Sequence, residues 1–383
     1  MSARPRPPLT VLLLDLDGVL LRDSGYHRTL IEAVDLLGRA LGFPAVGLER
    51  HTIDVFEAAG VTSEWDSSAI CAALLLERAW TEDPGLRLPV TPPLALRPAN
   101  GLTPPDLGAF AQRMLALAEP EASPLERAER LLLEAPSRHT LHHEQALRGL
   151  LRGARSLDGL TFRLVQELNL GSQAFEASSG IPAALGCESR LATHDRPALA
   201  AAGQAALRAW LREPGRRAAV MTNRPSRPPA GYLSTPEAEL GLRAAGFPDL
   251  PVAAMGGMGW LAHQRGFDEQ ALLKPSPAHA LAALRLALGE PLEAALEAAA
   301  ALGLDGRDDG GWGALDRSRI VVFEDAAKGL TSAVRAAALL ERCGVRAALD
   351  LRGVASDPAK TAALRRAGGR VFADLPAALA GLM

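Results

Sequence analysis

The chain has 383 residues, 48% hydrophobic and 22% charged, with a formal net charge of -3. That length points to two domains rather than one core, and the near-neutral balance argues against nucleic acid or an anionic membrane as partner. Cys71, Cys187 and Cys343 lie far apart without a CxxC, which argues against a disulfide framework or a cysteine zinc site.

The start, MSARPRPP, is polar, and no run approaches 18 apolar residues. A cytoplasmic protein without a membrane span is expected. Residues 9–14 form a continuous apolar run, as in a strand buried on both faces of a parallel sheet. Residues 28–42 place apolar positions at helical spacing and end in glycine, and residues 50–80 read as further helix. The stretch 83–106 holds seven prolines and reads as loop. Helical patterns resume over 107–168, with breaks at Pro120 and Pro136. From about residue 200 strands and helices alternate. The strands are RRAAVMTN, PVAAMG, RIVVFED, VRAALDL and RVFADL; the Ala-rich piece 278–302 between them reads as helix. This alternation predicts a doubly wound, Rossmann-like parallel sheet. The first strand belongs to that sheet, so a core of residues 9–22 and 200–383 is interrupted by a mostly helical insert, 23–199.

Ligands in open α/β sheets sit at the carboxyl ends of strands. Four such ends carry polar residues here: Asp15-Leu16-Asp17-Gly18, Thr222-Asn223, Lys274 in LLKPSP, and Glu324-Asp325. Side chains two apart in a strand share a face, so Asp15 and Asp17 are expected to meet at one site. Carboxylates from two strands can share a hard divalent cation. Of the 41 basic residues only Lys274, Lys328 and Lys360 are lysine, so a lysine at a strand end argues for a compact ammonium rather than a planar fork.

The ordered set DLDGV, T-N, K-P and EDAAKGLTSA resembles the haloacid dehalogenase superfamily on its phosphatase side, and FEDAAKGLTSAVRAA is similar to the β-phosphoglucomutase and phosphoglycolate phosphatase group. The resemblance covers about half of the chain. It implies a Mg²⁺-dependent phosphatase acting on a small phosphorylated metabolite, with the insert as a helical cap domain. It implies that Asp15 is the nucleophile. By the same resemblance Asp17 would be the general acid and base, with its backbone carbonyl binding the metal; Thr222 would hold a phosphoryl oxygen, with Asn223 and Gly18 beside the substrate; Lys274 would neutralise charge; and Asp325 would ligate Mg²⁺, with Glu324 doing so directly or through water. Lys328 is either a solvated helix lysine or a contact to a substrate anion. A phosphomutase of the same group would use the same residues, and a non-catalytic binding module on this fold is a further alternative. A dehalogenase is disfavoured because it needs neither a second aspartate nor Mg²⁺. Oligomeric state is left open.

Several features depart from the pattern. The insert is longer than caps of this superfamily usually are. GGMG near residue 256 lacks the Lys of a P-loop and reads as a turn. His139, His142 and His143 read as a solvated face: His143-Glu144 opens an HExxH, but Leu147 stands where the second zinc ligand belongs. Arg138, Arg190 and Arg196 read as solvated surface, with an acidic leaving group as the sharper alternative.

Overall fold

The computed structural model describes residues 9–23, 25–99, 101–117, 122–134 and 140–382. The chain forms two compact units, Gly25–His194 and the joined segments Met1–Ser24 and Asp195–Met383. Asp195 to Leu199, expected in the insert, therefore belong with the sheet.

The sheet unit follows from its apolar runs. Six strands are paired in the order β5-β4-β1-β6-β7-β8, and every pairing is parallel. They are β1 (Thr10–Leu14), β4 (Arg216–Met221), β5 (Val252–Ala253), β6 (Arg319–Glu324), β7 (Ala348–Val354) and β8 (Arg370–Phe372). Two short strands, β2 (Leu21–Asp23) and β3 (Arg196–Pro197), pair antiparallel beside them. Alternate residues face opposite sides. Val11 and Leu13 pack with Ala219, Met221, Ile320 and Val322 in one apolar cluster. Leu12 and Leu14 pack with Ala218, Val220, Val321 and Phe323 in another. Helices Met255–Arg265, Pro277–Ala287, Leu292–Gly303 and Ala327–Arg342 cover the first face. Helices Ala201–Leu211, Glu237–Ala245 and Leu375–Leu379 cover the second. Burial on both faces is why β1 has no polar alternation, and each of its buried Val and Leu side chains stabilises the fold by about 1.5–3 kcal/mol.

β1 sits where the chain reverses direction across the sheet. It runs outward through β4 and β5, then returns to β6 on the other flank of β1. Leu14 lies opposite both Val220 and Phe323, so the carboxyl ends of β1, β4 and β6 finish level. Level ends at a topological switch point make the crevice in which such sheets bind ligands.

Two expectations in this unit are corrected. The run 278–302 is two helices, split at Gly289-Glu290-Pro291, because proline cannot continue a helix interior. GGMG is not a turn but part of the helix Met255–Arg265. A Cβ at Gly256 would collide with the Ser226 backbone, and one at Gly259 would lie 2.5 Å from the Tyr232 hydroxyl. The glycines give close helix contact rather than a bend.

The helical unit is built around Glu64–Ala79, which buries Ile70, Leu75 and Leu76 against Phe56, Phe110, Leu147 and Leu151. Two of its neighbouring helices, Leu107–Ala116 and Leu141–Arg152, begin at side-chain caps, with Asp106 and Thr140 accepting from the backbone amides of Ala109 and His143. Between 83 and 106 the described residues form no helix or strand. His143 is not solvated: it is buried, stacks on Trp80 with ring centroids 3.9 Å apart, and its Nε2 lies 2.9 Å from the Pro84 carbonyl. His142 is half-buried. Arg190 is held by Glu32 through two bonds of 2.6 and 2.7 Å, so it is a structural pair rather than a solvated residue. The breaks at Pro120 and Pro136, with Arg138 and His139, lie outside the described residues. Among the described residues no helix is long and apolar enough to cross a membrane.

Candidate active site at the carboxyl ends of the strands

Asp15 is the first residue past β1. Its amide donates to the Phe323 carbonyl at 2.9 Å, which extends the ladder to β6. Its Oδ1 accepts from the Leu16 amide at 2.8 Å and lies 2.9 Å from Lys274 Nζ. Lys274 precedes the helix Pro277–Ala287 and also approaches Glu324 Oε1 to 2.6 Å. All three side chains are almost fully buried. Burial alone would push the Lys274 ammonium down, but Asp15 and Glu324 outweigh it and hold it above its ordinary range. Burial and the neighbouring Asp15 charge push the Glu324 carboxyl well above its ordinary range, against the pull of Lys274.

Asp325 completes a trio. One carboxylate oxygen each from Asp15, Glu324 and Asp325 lies within 4.8 Å of the others. Burial raises the Asp325 carboxyl, although Lys360 Nζ at 2.9 Å draws it down and Asp15 adds to the rise. Two acids held above their ordinary range mark a site short of positive charge. A hard oxygen-binding cation answers that shortage, so the trio fits a divalent metal. Glycines leave room for the carboxylates. Gly18 has φ +71°, where a side chain is strained, and a Cβ there would lie 2.6 Å from Asp325 Oδ2. A Cβ at Gly329, in the first turn of the helix Ala327–Arg342, would collide with the Glu324 carboxylate.

Asp17 makes its own pairing, with Arg224. β1 ends at Leu14, and the chain turns so that the Leu21 amide meets the Leu16 carbonyl at 2.8 Å. Strand parity therefore stops short of Asp17. Its two oxygens accept from Arg224, Nε to Oδ2 at 2.8 Å and Nη2 to Oδ1 at 2.5 Å. Arg224 Nη1 donates to Asp195 Oδ2 at 2.7 Å. Thr222 is buried at the end of β4, and its hydroxyl accepts from the Arg224 amide at 3.2 Å. Asn223 is half-buried, with its Oδ1 buried and unpartnered among the described residues. Beneath the site, His279 Nε2 donates to the Ala253 carbonyl, 3.0 Å away. Burial, then the Lys274 charge, brings its imidazole down to about 3.

The structure thus joins Asp15, Lys274, Glu324 and Asp325 directly, while the Asp17 carboxylate pairs with Arg224 and its charge still helps to raise the Asp325 carboxyl. Lys328 is exposed in the first turn after Asp325. Three residues escaped the sequence reading. Lys360 carried a legible signal, lysine being so rare here. Arg224 had none among 38 arginines (41 basic residues less three lysines), and Asp195 sits in no motif. Arg196 is exposed in β3, as expected of a solvated residue.

No family model matches this chain, and no curated protein matches it. A solved structure, described as an X-ray structure of a Northeast Structural Genomics Consortium target, is similar to it with a TM-score of 0.51 and 15% identity. The likeness covers 96% of this chain and 96% of that one. It concerns the fold: an α/β unit with a parallel sheet of six strands and many helices.

Proposed function

We propose that this chain is a Mg²⁺-dependent phosphatase of the haloacid dehalogenase type, hydrolysing a small phosphorylated metabolite through an aspartyl-phosphate at Asp15. The observation that carries this reading is the buried Asp15, paired with Lys274 inside a trio of carboxylates at the switch point of the sheet. A structural salt bridge between Lys274 and two carboxylates has no need of Asp325 as a third acid beside them.

Asp15, Glu324 and Asp325, with the Asp17 carbonyl, would hold the Mg²⁺. When bound, the ion supplies Lewis acidity and lets two anions approach. Asp15 Oδ attacks phosphorus, and the ester oxygen leaves with a proton from Asp17. Water then attacks the phosphoryl group on Asp15, gives its proton to Asp17 and releases phosphate. Lys274 holds the nucleophile in place and balances the charge that develops on the phosphoryl oxygens. The Thr222 hydroxyl donates to one of those oxygens; its lone pairs already face the Arg224 amide. Asn223 and the Gly18 turn border the substrate, and Lys328 meets an outer anionic group. The helical unit Gly25–His194 is, on this reading, the cap domain that selects the leaving group.

The test is a screen of phosphorylated metabolites for released phosphate, with Mg²⁺ and with excess chelator. Release that needs the ion is expected. Full turnover in chelator, or none on any phosphomonoester including nitrophenyl phosphate, overturns the reading.

A further inference from the structure

Arg224 follows the Thr222-Asn223 pair and is as buried as the sheet's apolar residues, with a side chain 2% exposed. Burying a guanidinium costs several kcal/mol unless carboxylates compensate it, and here two do. Asp195 is fully buried on one side, and the Asp17 side chain is 35% exposed on the other. Exposure therefore rises in order from Asp195 through Arg224 to Asp17. The Arg224 backbone is fixed as well: its amide meets Thr222 Oγ1 and its carbonyl accepts from the Met255 amide at 3.0 Å. The helix Glu237–Ala245 makes room for the fork with a glycine. A Cβ at Gly241 would lie 2.8 Å from Arg224 Nη1 and 2.7 Å from Leu16 Cδ2.

We propose that Arg224, anchored by Asp195, is a positioning residue for Asp17. The inference rests on the phosphatase reading, in which Asp17 exchanges a proton with the leaving oxygen and the attacking water. A lone carboxylate on a turn rotates freely about its side-chain bonds. A planar fork grips both oxygens and fixes the carboxylate plane, which a point-charge ammonium cannot do. The arrangement has the logic of a catalytic triad, an outer group oriented by a second that is oriented by a buried third. Arg224 touches no reacting atom itself; it acts through Asp17.

The experiment is a double-mutant cycle. Arg224→Lys and Asp195→Asn are made alone and on Asp17→Asn, and kcat and KM are measured on an alkyl phosphate and on nitrophenyl phosphate. A nitrophenol leaves without a proton, so the aryl substrate bypasses the acid role. Each single variant is expected to lower kcat on the alkyl phosphate roughly tenfold more than on the aryl one, a share of what a positioned proton donor contributes, with KM unchanged. Added to Asp17→Asn, neither should cost anything further. Gly241→Ala deletes no charge but presses on Nη1, and should reproduce the same leaving-group signature if the charge variants fail to fold. Equal losses on both substrates, or losses that multiply with Asp17→Asn, overturn the proposal and leave the phosphatase reading standing. A wild-type chain that releases no phosphate from either substrate overturns both.

Discussion

Removing the Lys274 ammonium tests how the buried charges are held. Its two contacts, 2.9 Å to Asp15 and 2.6 Å to Glu324, are each worth about 6 kcal/mol of attraction at an effective dielectric near 20. Desolvation of three buried groups offsets most of that, and the usual outcome of deleting one partner of a buried pair is a loss of about 3–5 kcal/mol. Lys274→Met should therefore lower the melting temperature of the sheet unit by roughly 6–20 °C in chelator, at about 2–4 °C per kcal/mol for a domain of that size. A divalent cation takes over part of the ammonium's role. Mg²⁺ at about a hundred times its dissociation constant should recover about 2.7 kcal/mol. The assay is thermal unfolding of both chains with Mg²⁺ and with chelator, beside phosphate release. Lys274→Arg should keep much of the stability but not the turnover, since the fork cannot occupy the point between the two carboxylates. A Lys274→Met chain that melts with the wild type in chelator refutes the electrostatic reasoning, and near-normal turnover of Lys274→Arg refutes the need for a compact charge.

Gly18→Ala places a side chain at φ +71° and 2.6 Å from Asp325 Oδ2; it should weaken Mn²⁺ binding by calorimetry, and an unchanged affinity would count against Asp325 as a ligand. Lys360→Met removes the ammonium 2.9 Å from Asp325 and should tighten Mn²⁺ binding, while a looser or equal affinity would mean that Lys360 does not compete with the ion. Within β7, burial raises Asp350, but hydrogen bonds from Arg352, Arg319 and Arg370 outweigh it and bring it down from 3.8 to about 2. Its contribution to stability is present above pH 3.8 and lost as pH falls through about 2. Asp350→Asn should flatten that acid limb in urea titrations without changing turnover, and a limb of unchanged slope would show that the three arginines are not what holds the carboxylate.

Much of the site could be read from the chain because its residues stand at the ends of apolar runs. Asp15, Thr222 and Glu324 each follow a stretch buried on both faces, and a polar residue there has few neutral explanations. The Asp17 side chain was harder to place, since strand parity holds only to Leu14 and the turn beyond it answers to Arg224. Arg224 and Asp195 stand 29 residues apart and are joined only by tertiary structure, so no local pattern announces them. GGMG misled for the opposite reason. Its local propensity is that of a turn, yet close packing against Ser226 and Tyr232 outweighs propensity and makes it helix. His143 looked like one of a polar trio, but Trp80, far away in sequence, gives it a stacking surface.

The most direct measurement is the mass of Asp15 itself. The chain is mixed with Mg²⁺ and a phosphomonoester it hydrolyses, quenched in acid within one turnover, and digested, and the peptide carrying Asp15 is weighed. One phosphoryl group on Asp15, absent in chelator and absent from Asp15→Asn, is the expected result. Phosphate release with no phosphoryl group on Asp15, or release that persists in Asp15→Asn, would contradict the nucleophile and the mechanism built on it.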